Sequence, residues 1–129
     1  MACRNNLINF WEDRTEKGFI WGESDCLRVA MDWSVIMGHK DHFAPYRGTY
    51  KNALEAAQEL RKAGYGTIEK YLDANFEVID SPKEGDLGLL CNGKTIGICT
   101  FNSVMFYDQL GMYPVSYKDC KKFYRIVNG

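Results

Sequence analysis

The chain has 129 residues, of which 46% are hydrophobic and 26% are charged. These values are typical of one globular domain spanning residues 1–129, and they exclude a disordered, collagenous or low-complexity chain. Sixteen Lys and Arg against seventeen Asp and Glu give a net charge of −1, so a nucleic-acid partner is not expected. No window approaches the roughly 20 apolar residues that a membrane span needs.

The five cysteines exclude a complete set of internal disulfides, because their number is odd. The N-terminus has no apolar run that would make a signal peptide, so we expect synthesis in a reducing cytoplasm with free thiols. No two cysteines form a C-x-x-C pair, and we expect neither a metal site nor a cofactor. The remaining interpretation is that one cysteine is chemically special and the others are inert core thiols, although any single buried cysteine is more often a small core residue.

The first half of the chain is predicted to be helical. An apolar stripe over residues 7–11 indicates an amphipathic helix that ends at Gly18. Ser24 and Asp25 are both suitable N-caps for a second helix that has Cys26 at or next to its first turn, ends at Gly38 and is about fourteen residues long. Because this helix is apolar on two faces, we expect it to be buried nearly all round.

After a loop, two further helices are predicted, one over residues 53–64 and a short one capped by Thr67. The period then changes to that of strands, and Asn92-Gly93 is typical of a two-residue hairpin turn. Helices followed by an antiparallel sheet of about five strands predict an α+β fold. The predicted strands are Asp86–Cys91, Lys94–Phe101, Val104–Tyr107, Met112–Val115 and Lys122–Val127. Cys91 and Cys99 lie on the two predicted strands that flank the turn, and we expect both in the core.

Cys26 is the candidate nucleophile. A thiol in the first turn of a helix lies near unpaired N–H groups and the positive end of the helix dipole, which lower its pKa. The same N–H groups could hold an oxyanion. The alternative is a small core residue that happens to begin a helix.

The segment Trp21-Gly22-x-x-Asp25-Cys26 resembles the nucleophile segment of the NlpC-like papain-type thiol hydrolases. Pro82-x-x-Gly85-Asp86-Leu87 and Ile96-Gly97-Ile98 resemble the first two core strands of that superfamily. The resemblance implies a papain-like NlpC-type fold, with N-terminal helices packed on the sheet. It also implies a peptidase or amidase activity on bacterial cell-wall peptides, with Cys26 as nucleophile.

A wider set of segments is similar to a phage-encoded branch of this superfamily whose function is not settled. Members tend to be encoded among phage tail genes. The resemblance therefore implies a virion protein of the tail tip or of tail assembly, made in the host cytoplasm, with other tail proteins as partners. The segments are Asp32-Trp33, Gly38-x-x-Asp41, Pro45-Tyr46-Arg47-Gly48-x-Tyr50 and Ile96-Gly97-Ile98-Cys99.

The superfamily's general base is a histidine, and the matching position here is Thr95. A threonine hydroxyl cannot accept a proton at neutral pH. The third position, which orients the base, corresponds to Tyr107, whose phenol has an ordinary pKa of about 10. Loss of a general base alone lowers the rate by roughly 10²–10⁴-fold. Asp25 is both an N-cap and an anion that would oppose formation of a thiolate at Cys26.

Two histidines lie after the second helix. His39 lies roughly 20 Å from Cys26 along that helix, and His42 could reach the thiol only if its loop folded back. A metal site built from these two histidines is less common than a solvated loop. Trp21, Tyr46 and Arg47 could form a substrate or partner loop, although Arg47 could equally be a cation stacked on neighbouring aromatic rings.

Three functions are therefore open. The first is a degenerate, non-catalytic papain-like domain of a phage tail tip or its assembly pathway. The second is an active cysteine peptidase or amidase that acts on cell-wall peptides through Cys26. The third is a host-directed binding protein that uses the same fold. Fold alone does not decide between them.

Overall fold

The computed structural model describes residues 2–19, 25–39 and 50–126. Helices occupy the first part of the described chain and strands the second, which is the predicted α+β order. The helices are α1 (Ala2–Lys17), α2 (Cys26–Ile36), α3 (Ala53–Lys62) and α4 (Ile68–Asn75). The strands are β1 (Glu77–Ile79), β2 (Leu87–Leu90), β3 (Ile96–Cys99), β4 (Val104–Asp108), β5 (Gly111–Val115) and β6 (Cys120–Arg125).

The apolar stripe of α1 packs as its spacing predicts, since Leu7, Phe10 and Trp11 are all buried. Helix α2 departs from its prediction in two ways. It has 11 residues rather than about fourteen, and Val35 and Ile36 are exposed, so its last turn is buried on one side only. Gly38 follows with a φ of 100°, a conformation that ends a helix at little cost only for glycine.

The strands form one sheet in the order β1-β6-β2-β3-β4-β5, and every neighbouring pair is antiparallel. This sheet has six strands rather than about five. The strand that was not predicted is Glu77–Ile79, which pairs with β6 at one edge. Its three residues are too few to show an alternating pattern, and none of them is fully buried.

The predicted hairpin between β2 and β3 exists, but its turn is longer than two residues. Leu89 pairs with Ile96, and the Leu90 N–H donates to the Thr95 carbonyl at 2.9 Å. Asn92 and Gly93 therefore lie inside a connection over residues 91–95. As a consequence Cys91 is exposed, and its predicted place in the core is wrong.

The main core lies between the helices and one face of the sheet. Trp33 of α2 and Leu72 of α4 are fully buried there with Leu89, Ile98 and Tyr124 from the strands. Because side chains alternate along a strand, the other face carries a smaller cluster built on Cys99, Val104 and Phe106. Helix α2 packs on the neighbouring strands β3 and β4. The predicted base position, Thr95, immediately precedes β3, and the predicted third position, Tyr107, lies on β4.

Gly97 is required by packing. A Cβ at this position would come within 2.8 Å of the Met105 carbonyl oxygen and of Val104 Cγ1, closer than real contacts allow. The glycine in Ile96-Gly97-Ile98 therefore has a structural reason, which is the close approach of β4 to β3.

Candidate functional site

The N-terminus of α2 is built as the sequence predicts. Cys26 is the first residue of the helix, and Asp25 is its N-cap. The Asp25 carboxylate accepts a hydrogen bond from the Arg28 N–H at 2.9 Å, and Asp25 is fully buried. An N-cap of this kind stabilises a helix by about 1 kcal/mol. The side chain of Cys26 lies outside what the structure describes.

Thr95 and Tyr107 lie at the same end of neighbouring strands. The β3–β4 register pairs Ile98 with Met105, and its continuation brings Tyr107 opposite Ile96. Tyr107 therefore lies on the strand that pairs with β3, opposite the residue that follows Thr95. Thr95 itself precedes β3, and its carbonyl accepts the hydrogen bond from Leu90.

Tyr107 is committed to the fold. Its side chain is buried, and its hydroxyl donates to the backbone carbonyl of Arg14 at 3.2 Å. The ring lies against Trp11 and Phe19, with centroid distances of 6.2 and 5.7 Å. Tyr107 therefore anchors α1 to the sheet.

His39 lies at the far end of α2 from Cys26. It is buried, its backbone N–H donates to the Ser34 carbonyl at 2.8 Å, and its ring is 4.5 Å from that of Phe76. The 11 residues of α2 correspond to roughly 16 Å along a helix, and His39 lies beyond their end. His39 therefore packs in the core at a distance from the start of α2.

The remaining predicted positions lie outside the described residues. These are Trp21, Tyr46, Arg47 and His42. Within the described part of the chain, no group of three or more His, Cys, Asp or Glu side chains could hold a metal ion. Across the same residues, no helix combines the length and the apolar character that crossing a lipid bilayer requires.

A buried charge cluster that the sequence analysis did not predict joins α1 to α2. The Asp32 carboxylate forms ion pairs with Arg14 Nη2 at 2.8 Å and with Arg28 Nη2 at 3.0 Å, and both arginines are buried. The spacing of Arg28 and Asp32, four residues apart on one helix, was a signal for half of this cluster. No sequence pattern near Arg14 indicates that it pairs with Asp32.

Two of the resembling segments also have structural roles. Trp33 Nε1 donates to the Gly85 carbonyl at 2.8 Å, which fixes α2 against the entry to β2. The Asp86 carboxylate accepts the Lys83 N–H at 2.7 Å and pairs with Arg125 Nη2 at 3.0 Å. The tryptophan therefore joins α2 to the segment before β2, and the aspartate joins that segment to β6.

The described thiols other than Cys26 differ in their surroundings. Cys99 is fully buried, as predicted, and burial raises its pKa well above the ordinary value. Cys120 is half-buried at the start of β6, where burial raises its pKa to about 11. The nearby Tyr117 hydroxyl donates to the Thr100 carbonyl, and burial raises its pKa to about 12. Neither thiol has the electropositive surroundings of a reactive cysteine.

These features define an α+β domain in which the main core lies between the helices and one face of an antiparallel sheet, with α2 lying on β3 and β4. Residues 2–126 match the family described as Domain of unknown function (DUF6950). The chain belongs to that family. No curated protein and no solved structure matches the chain.

Proposed function

We propose that the chain is a non-catalytic NlpC-like papain-type domain that serves as a structural component of a phage tail tip or of its assembly. The observation that carries this proposal is the state of Tyr107. Its hydroxyl is buried and donates to the Arg14 carbonyl, so it is already used in holding α1. The proton of this phenol is therefore engaged in holding α1, which supports a structural role for Tyr107.

The surroundings of the predicted base support the same proposal. Thr95 supplies a hydroxyl that cannot take a proton from a thiol at neutral pH. His39 is packed on Phe76 at the other end of α2 and cannot replace it. The order of helices and strands agrees with the fold that the resemblance implies.

An active cysteine peptidase or amidase is the second candidate, and the start of α2 favours it. Cys26 occupies the first turn of a capped helix, where backbone N–H groups and the helix dipole stabilise a thiolate. Against it stands the Asp25 carboxylate, an anion one residue away. The two candidates differ in whether the thiol is required.

The test uses a phage that encodes this chain, with a Cys26→Ser variant and a Cys91→Ser control at an exposed position. The proposal predicts the protein in purified virions or tail-assembly intermediates, with normal infectivity for both variants. If Cys26→Ser alone abolishes infectivity while particles assemble normally, the active enzyme is correct. If the protein is absent from virions and from assembly intermediates and is bound to a host protein, the host-directed function is correct.

A further inference from the structure

We propose that the groove between α1 and the β3–β4 turn binds a basic amphipathic helix of a partner protein. This groove would be the surface through which the chain carries out its structural role. The identity of the partner rests on the proposed function. The binding itself follows from the shape, composition and charge of the groove.

The groove has a volume of about 900 Å³ and a mostly apolar lining. Its floor is formed by Leu7 and Trp11, which are buried, and its rims carry Ile8 and Phe101, which are 50% and 79% exposed. Met112 of β5 also lines it. Large apolar side chains exposed together around a concave surface are typical of interaction sites.

The charge of the groove selects the partner. Glu12 and Glu16 of α1 line it, and none of the lining residues within the described part of the chain is Lys or Arg. The chain as a whole has a net charge of only −1, so this acidic character is local. An occupant with lysines or arginines beside its apolar side chains complements both properties of the surface, whereas nucleic acid and anionic lipid are repelled.

The form of the occupant follows from the neighbouring sheet edge. Strand β5 is the last strand of the sheet and could in principle accept an added strand. Pro114 lies in the middle of β5 and has no N–H, which blocks a continuous ladder at this edge. The wall opposite is helix α1, which runs about 14 Å from Leu7 to Glu16. Side-chain packing of a helix, with anchors at i, i+4 and i+7, fits such a groove better than strand addition.

The test uses two synthetic helical peptides, each about 16 residues or roughly 24 Å long. Both carry leucines at i, i+4 and i+7, and they differ only in having lysine or glutamate at the polar positions. We expect the lysine peptide to bind at least about tenfold more tightly by fluorescence anisotropy. Its addition should shift the backbone NMR signals of residues 8–16, 100–102 and 112.

Variants localise the binding to the groove. Phe101→Ser should weaken binding of the lysine peptide by about tenfold or more, as loss of an anchor does. Leu54→Ser is the matched control, because Leu54 is 69% exposed on α3 and does not line the groove. Replacing Glu12 and Glu16 together by lysine should invert the preference toward the glutamate peptide.

The proposal is overturned if neither peptide binds, if both bind equally well, or if the shifted signals lie elsewhere. It is also overturned if sedimentation shows a dimer that Phe101→Ser dissociates, because the occupant is then a second copy of the chain. These measurements need no phage. A groove that binds the lysine peptide in a protein absent from virions would keep this inference and remove the proposed tail function.

Discussion

The hydroxyl of Tyr107 reaches from β4 to the carbonyl of Arg14 in α1. A buried hydrogen bond of this kind contributes about 0.5–1.5 kcal/mol to stability. The same residue stands at the third catalytic position implied by the resemblance. A structural role and a catalytic role can therefore be distinguished by measurements on variants of this one side chain.

Tyr107→Phe should lower the free energy of unfolding by about 0.5–1.5 kcal/mol, because the Arg14 carbonyl keeps the Gly18 N–H but loses its bond to the buried phenol, while the ring contacts remain. Urea denaturation followed by circular dichroism measures this change. The rate at which Cys26 is alkylated should stay the same across pH. A changed alkylation profile with unchanged stability would instead assign Tyr107 to the chemistry of the thiol.

At the scale of elements, the contact between β3 and β4 depends on a residue without a side chain. The space around Gly97 is closed by the Met105 carbonyl and Val104, both within 2.8 Å of an added Cβ. A carbonyl of a paired strand cannot move aside as the end of a flexible side chain can.

Gly97→Ala should therefore destabilise the protein by about 1–3 kcal/mol, the usual cost of overpacking a core. Gly66→Ala is the matched control, since its Cβ would meet only the Lys70 side chain, no closer than 3.6 Å. Thermal unfolding should show a clear loss for the first variant and little change for the second. Equal melting temperatures would show that β4 yields readily at this point.

The elements that the sequence predicted well are those whose signal is local. The stripe of α1, the Asp25 and Thr67 caps and the glycine after α2 are each written within a few residues, and the structure confirms them. Strand β1 was missed because its pairing with β6 joins residues far apart in the chain. Cys91 was misplaced because one turn longer than expected moved it out of the strand.

The candidate site was predictable to the same extent. The Asp25-Cys26 helix start and the adjacency of Thr95 and Tyr107 follow from capping rules and strand counting. The bond from Tyr107 to Arg14 and the Arg14–Asp32 pair do not, since they depend on where α1 docks. Docking is decided by tertiary packing, which no local pattern encodes.

For the molecule as a whole, polar contacts join the helices to the sheet across the main core. Trp33 donates to Gly85 ahead of β2, and the Tyr124 hydroxyl of β6 donates to Asp73 of α4 at 2.7 Å. Lys122 of β6 also pairs with Asp73, at 3.2 Å. Several ionisable side chains in these contacts, and near the smaller cluster on the other face of the sheet, keep their protons to a higher pH in the folded chain than in the unfolded chain.

Stability should therefore decrease at alkaline pH. Burial raises the pKa of Cys120 from 9.0 to about 11, and burial raises that of Tyr117 from 10.0 to about 12. The pKa of Tyr124 is also raised, first by burial and then by its bond to Asp73. Above pH 9.0 the unfolded chain releases protons that the folded chain holds, so the stabilisation present below pH 9.0 is lost as pH rises through about 11.

Urea midpoints measured from about pH 8 to about pH 11 check this prediction. The midpoint should fall, and Cys120→Ala should make the fall less steep. Cys91→Ala is the control for removing a thiol at an exposed position. A midpoint that is constant or rises over this range contradicts the expected dependence.

The central claim is that Cys26 is a sequence feature of this fold but is not a catalytic nucleophile. The most direct measurement is the rate of iodoacetamide alkylation at Cys26, resolved from the other cysteines by mass spectrometry, as a function of pH. The claim predicts a rate that rises as for an ordinary thiol, with an inflection near about 8.5. An inflection below about 7, with Cys26 reacting faster than the exposed Cys91 at neutral pH, would contradict it, because that is the behaviour of an activated thiolate.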